Sequence, residues 1–159
     1  MWRPARFNDA LQRPARGFTL IELLMIVGLV GVLLLIALPS YALYRDKARQ
    51  RQAGTEITTM AANIKLRWED ERAYPASLAA AGMGDRLDPW GRPYVYYNVE
   101  ANGVGGARKD HALNPINTDF DLYSLGPDGV SKKQVTQKDS VDDVIRANNG
   151  AYVGVAADF

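Results

Sequence analysis

The chain has no cysteine and only one histidine, His111, in 159 residues. Without thiols there is no disulfide, no thiolate metal site and no cysteine nucleophile, although exported proteins need not carry bridges and the compartment stays open. A surplus of one charge sign is missing too. Nineteen Lys and Arg stand against eighteen Asp and Glu, a formal charge of +1, which leaves no electrostatic footprint for nucleic acid. Catalytic strings are absent as well: there is no G-x-S-x-G and no H-E-x-x-H, and the glycines at 103, 105 and 106 lack the G-K-[ST] ending of a phosphate-cradling loop. A lone His111 without a Ser or Cys nucleophile pattern reads as a surface residue, and the chain does not read as an enzyme.

What the chain does have is a 21-residue apolar run, residues 18–38, interrupted by one carboxylate, Glu22. As a helix rising about 1.5 Å per residue it reaches roughly 31 Å, matching a hydrocarbon core of about 30 Å. Residues 23–38 carry no polar side chain on any face, so no stripe marks a solvent side as it would in a buried core helix. The flanks are basic on both sides, with Arg3, Arg6, Arg13 and Arg16 before the run and Arg45, Lys47, Arg49 and Arg51 after it. Flanking charge therefore leaves the orientation tied. A conventional signal peptide cut after Ala42 is the alternative, but the run exceeds the usual 7–15 residues and Glu22 sits where that signal carries no charge.

Beyond Pro39 the pattern becomes amphipathic. Ala53, Ile57, Met60 or Ala61, Ile64 and Trp68 recur at three- and four-residue steps, which predicts one helix from Phe18 to about Glu71 with a core-facing stripe and weak points near Gly28, Gly31, Pro39 and Gly54. Tyr74 before Pro75 ends it, and a short helix over 76–81 closed by Gly82 is expected next. Residues 94–97 and 120–125 read as strands, separated by turn-rich and glycine-rich stretches. Helix first and antiparallel strands afterwards argue an α+β fold.

Two sets of residues carry a resemblance. "GFTLIELL" at 17–24, followed by an apolar helix closing in "PSY" at 39–41, resembles the class III signal of type IV pilins and type II secretion pseudopilins. "AYP" at 73–75, "DPWGRPYVYYN" at 88–98 and "DFDLYSLGPDG" at 119–129 resemble segments of the major pseudopilin of type II secretion, whereas type IV pilins often carry a C-terminal cysteine pair.

The resemblance implies a cytoplasmic leader, residues 1–17, cut by a prepilin peptidase between Gly17 and Phe18, with methylation of the new Phe18 amine. It implies a transmembrane helix over 18–38, an amphipathic helix over 39–73 and a periplasmic α+β domain over 74–159 with a C-terminal loop, held single-pass in the bacterial inner membrane. The long helix would pack on a small antiparallel sheet in a type IV pilin-like fold. The implied function is structural: a subunit polymerising into the periplasmic pseudopilus of a type II system that exports folded proteins across the outer membrane. The alternatives are a type IV pilus subunit and a membrane-anchored periplasmic binding module. Implied partners are further copies of the chain, minor pseudopilins, the inner-membrane secretion platform, prepilin peptidase and membrane lipid, with no nucleic acid.

An unpaired carboxylate in lipid is costly, so intramembrane charges tend to face partners. The resemblance supplies one for Glu22, the Phe18 ammonium of a neighbouring subunit; snorkelling to the near interface is the alternative. It also nominates a structural Ca²⁺ bound by Asp128, by Asp142 or Asp143, and by the Leu125 and Val130 carbonyls. Residues alone would read 126–129 as a β-turn and the acidic stretch 139–143 as a solvated loop. Where major pseudopilins carry a Gly-rich run, this chain reads "VSKKQVTQKD".

Overall fold

The computed structural model describes residues 17–159, apart from the side chains at 39 and 40; residues 1–16, which hold most of the expected leader, lie outside the described residues. The chain divides into two compact units, residues 1–41 and 42–159. Helix α1, Leu20–Glu71, contributes to both and continues through Gly28, Gly31, Pro39 and Gly54, so none of the expected weak points ends it.

In the first unit the described residues 17–38 and 41 are all exposed, including every large apolar side chain from Phe18 to Leu38. A helix that is apolar all round and buries nothing of itself needs lipid or neighbouring helices as its solvent.

In the second unit the predicted stripe is the core face. Ala53, Ile57, Met60 and Ile64 are fully buried, and they pack with Tyr94 just before the first strand and with Phe120, Leu122 and Val144 from the sheet. The helix stops where Arg72 turns left-handed, φ 51°, with its guanidinium over the Trp68 ring at 5.3 Å. The helix expected over 76–81 is not formed. Ser77 accepts a side-chain bond from the Ala80 amide, and Gly82, φ 73°, turns the chain so that Met83 N–H meets the Leu78 carbonyl. Six residues repay helix nucleation poorly, and a local serine bond offers the backbone an alternative.

Strands β1, Val95–Asn98, and β2, Phe120–Ser124, fall within about one residue of expectation. They are joined by β3, Val144–Ala147, and β4, Tyr152–Val155, in an antiparallel meander of order β1-β2-β3-β4. One face of β2, through Phe120 and Leu122, joins the α1 core. The other meets a second cluster, in which Ile145 and Ala147 of β3 pack with Ile116 and Val135 from the loops and with Tyr123. The result is the expected α+β arrangement, a long helix on a small antiparallel sheet, with loops covering the sheet's back.

The two long strings of the resemblance are fastened to each other. Asp88 is buried; its Oδ1 accepts the Trp90 and Arg92 amides at 3.0 and 2.9 Å, and its Oδ2 accepts the Ser124 hydroxyl. Arg92 donates in turn to the Gly126 and Pro127 carbonyls. One carboxylate thus shapes its own turn and sets the exit of β2. Asp88→Ala should lower the stability of the full chain by about 2–3 kcal/mol, because three donors lose their acceptor in a buried place. Asp88→Asn should cost less, since an amide oxygen still accepts the two backbone N–H groups; thermal unfolding followed by circular dichroism separates the two variants.

Candidate functional site

The polar end of the apolar helix is built by four residues. Gly17, Phe18 and Thr19 precede the helix, and α1 starts at Leu20. Glu22 Oε2 accepts both the Thr19 amide and the Thr19 hydroxyl at 2.8 Å, while Glu22 N–H reaches Thr19 Oγ1 at 3.3 Å. This is a capping box, with Thr19 at the N-cap and Glu22 three residues on, and it satisfies donors that a helix start leaves open. The T-x-x-E spacing was present in the sequence and identifies the box without any structure. Both bonds into the carboxylate use Oε2; among the described residues Oε1 takes none. Phe18 is exposed, and among the described residues nothing stands within 4 Å of a Cβ built on Gly17. Packing within the described chain therefore sets no requirement for glycine there.

Of the residues nominated for calcium, Asp128 and Asp142 lie together and Asp143 does not join them. Asp128 is exposed and caps its own turn, Oδ1 accepting the Val130 amide at 2.8 Å. Asp142 lies beside it, Oδ2 accepting the Asp128 amide at 3.3 Å. The Leu125 carbonyl takes the Gly129 amide, and Val130 is exposed. Asp143 points the other way, into the loops behind the sheet. It is fully buried, and its Oδ2 accepts from Arg108 Nη2 at 2.7 Å and from the Ser131 hydroxyl at 2.6 Å. Burial outweighs the Ser131 and Arg108 donors, which favour the charged form, and leaves the Asp143 carboxyl raised to about 6. Among the described residues no group of three or more His, Cys, Asp or Glu side chains is arranged to hold a metal ion. As placed, Asp128 and Asp142 each have one carboxylate oxygen accepting a backbone amide, and Asp143 is paired with a guanidinium.

Two buried arginines were not foreseen. Arg108 donates its backbone N–H to Asp121 and its guanidinium to Asp143 and Ser131, and it lies 4.3 Å over the Tyr123 ring. Arg146, in the middle of β3, grips Asp119 through both terminal nitrogens, donates to the Phe120 carbonyl and lies 4.0 Å over the Phe120 ring. Asn117 ties this group to Asp121 and to the Arg146 carbonyl, each at 2.8 Å. No spacing rule flags such residues, because arginine in isolation reads as surface. His111 is exposed, as expected.

A model of the prokaryotic N-terminal methylation motif matches residues 12–38, the segment that contains Gly17, Phe18 and the capping box. The type II secretion system core protein G of Pseudomonas aeruginosa is 30% identical, over 74% of this chain and 87% of that protein. The chain belongs to the core protein G family. It is a type IV pilin-like pseudopilin, and the match extends well past the apolar helix into the sheet domain. The core protein G of Escherichia coli is 28% identical over 72% of this chain and 83% of its own length. The fimbrial protein EcpC of Eikenella corrodens is 33% identical over a shorter stretch, 60% of this chain and 61% of that protein. No solved structure is significantly similar to the chain. Among the described residues one N-terminal apolar helix is long enough to cross a bilayer, and together with the methylation motif it fits a membrane-anchored pseudopilin.

The bend after β2 in this pseudopilin leaves little room. Gly126 has φ 64°, and a Cβ there would stand 2.5 Å from the Asp142 carbonyl oxygen, whereas Gly91, φ 84°, has open space around it. Gly91→Ala should therefore cost about 1–2 kcal/mol for its left-handed backbone alone. Gly126→Ala should cost clearly more, since the clash is with backbone that cannot swing aside, and the difference is read from the two unfolding temperatures.

Proposed function

We propose that this chain is a structural subunit of the pseudopilus of a type II secretion system, anchored in the inner membrane with the sheet domain in the periplasm, and assembled through its apolar helices to export folded proteins. The observation that carries this reading is the extent of the likeness to core protein G, which covers most of both chains rather than the N-terminal motif alone. Fimbrial relatives favour a type IV pilus subunit as the second reading, but the likeness to EcpC covers less of each chain. The relatives are named as secretion-system and fimbrial proteins, which supports a structural role over an enzymatic one.

Prepilin peptidase would cut between Gly17 and Phe18 and methylate the Phe18 amine. That bond lies outside the helix, so cleavage breaks no helical hydrogen bond. The capping box supports the next step, because it is built on Thr19 and Glu22, both on the mature side of the cut. Glu22 would keep its place through processing, and its Oε1 would accept the Phe18 ammonium of the neighbouring subunit. Met25, Ile26, Gly28, Leu29 and Val32 line a shallow apolar depression on α1, where the absence of a side chain at Gly28 lets another helix approach closely. The remaining partners are the minor pseudopilins, the inner-membrane platform and lipid.

Mass spectrometry of the mature protein should show loss of residues 1–17 and gain of one methyl group, and Gly17→Leu should keep the full mass. Glu22→Ala should be inserted and processed but should leave filament formation and secretion at background in a complementation assay. Normal filaments from that variant would reject the pairing, and an unprocessed wild-type chain would reject the pseudopilin reading itself.

A further inference from the structure

The family resemblance implies a calcium ion in the loop after β2, and one of the side chains nominated for it, Asp143, is committed to Arg108 and Ser131 instead. We propose that Arg108 does in this chain the work a bound calcium would do: its guanidinium is the cation that closes the loop of residues 126–140 onto the sheet, and the folded domain takes up no structural calcium.

Three segments meet at Arg108. Its backbone N–H bonds Asp121 Oδ2 in β2 at 2.6 Å, one terminal nitrogen bonds Ser131 in the loop, and the other bonds Asp143 at the entrance to β3. Ser131 closes the triangle by donating to the same Asp143 oxygen at 2.6 Å. Next to it Ser140 Oγ accepts the Lys132 amide at 2.8 Å, so both sides of the loop are drawn to one point. The two unpartnered polar atoms of the pair, Arg108 Nε and Asp143 Oδ1, are the ones a side-on guanidinium–carboxylate fork would join. The Arg108 side chain is 4% exposed and the Asp143 side chain 0%. A guanidinium is charged at every relevant pH, needs no external supply, and fixed beside Asp143 it repels a second cation.

The loop's composition agrees. Lys132, Lys133 and Lys138 lie between residues 130 and 139, with Asp139 as the one acid there. Lys133 Nζ donates to the Gly105 carbonyl at 2.9 Å, a second cationic tie between the same two loops. On the outer side Asp128 and Asp142 remain, each with one oxygen accepting a backbone amide; with the Leu125 carbonyl, which takes the Gly129 amide, and that of Val130 they make four groups against the six to eight oxygens of a calcium shell. The inference concerns the sheet domain alone and stands or falls separately from the filament reading.

The test uses the full-length chain in detergent, unfolded by heat in EGTA and in millimolar CaCl₂, with calcium titration calorimetry alongside. The expected result is one unfolding temperature in both buffers and no saturable heat. A calcium site filled at about a hundred times its Kd would instead raise the temperature by roughly 10 °C. A saturable calcium-dependent rise that Asp128→Asn abolishes would overturn the proposal. Arg108→Lys should lower the unfolding temperature equally in both buffers, because one ammonium cannot span Ser131 and Asp143 as the fork does. A variant as stable as the wild type would also overturn it. If Arg108→Lys fails to fold, the wild-type comparison in the two buffers still decides.

Discussion

The buried arginine on β3 is the constraint on which the sheet domain rests. Arg146 is 1% exposed, yet it lies between two strands and carries a full charge. Such a charge is tolerated only where it is paired and hydrogen-bonded, and the pairing dictates much else. Asp119 must stand just before β2 to receive both terminal nitrogens, the Phe120 carbonyl must turn towards them, and the Phe120 ring must lie under the guanidinium. Phe120 is then the residue on which Tyr74 and Tyr96 pack, at ring separations of 5.2 and 5.7 Å. The end of the helix region, β1, β2 and β3 are thereby aligned around one cation.

Behind the sheet the same device replaces a missing one. The covering loops contribute few large apolar residues, chiefly Ile116 and Val135, and there is no cysteine with which to staple them. A network of Asp121, Asn117, Arg108, Asp143 and Ser131 holds them instead, each bond crossing from a loop to a strand or to another loop. Directional bonds of this kind add little net stability over a well-packed apolar core. Their effect is selective: breaking one member leaves a buried partner unsatisfied, so the loops have one good arrangement.

How much of this was legible depended on whether the signal was periodic. The Ala53, Ile57, Met60, Ile64 stripe is a repeat with a fixed spacing, and burial follows it closely, whereas the 21-residue apolar run was legible by its length and unbroken composition and stands exposed. Strands β1 and β2 were legible from aromatic and alternating residues. β3 and β4 were not, because each has four residues, β3 places an arginine inside and β4 a glycine, and all four residues of β3 are buried so that no alternation remains. The segment 76–81 shows the opposite error, a local pattern with helical appeal overridden by a serine bond and a glycine turn. At the acidic loop the resemblance nominated Asp128 with Asp142 or Asp143, and composition read only a turn and a solvated loop; geometry shows that neighbouring Asp142 and Asp143 point to opposite sides.

The two units solve the same problem, where to put a charge away from water, in different ways. The sheet domain pairs its buried cations internally, Arg146 with Asp119 and Arg108 with Asp143. The apolar helix pairs its carboxylate only in part, with neutral donors from Thr19, the second residue after the proposed cut. A cap of neutral donors fixes the position of Glu22 but cannot cancel its charge. On the proposed reading, processing supplies the missing charge at Phe18 without disturbing the cap. Phe18 is four residues from Glu22, the spacing of neighbours on one helix face, but it lies before the first helical residue. A stable pair is therefore better made between chains, where the ammonium of one copy can approach the free side of a carboxylate already held in place in the next.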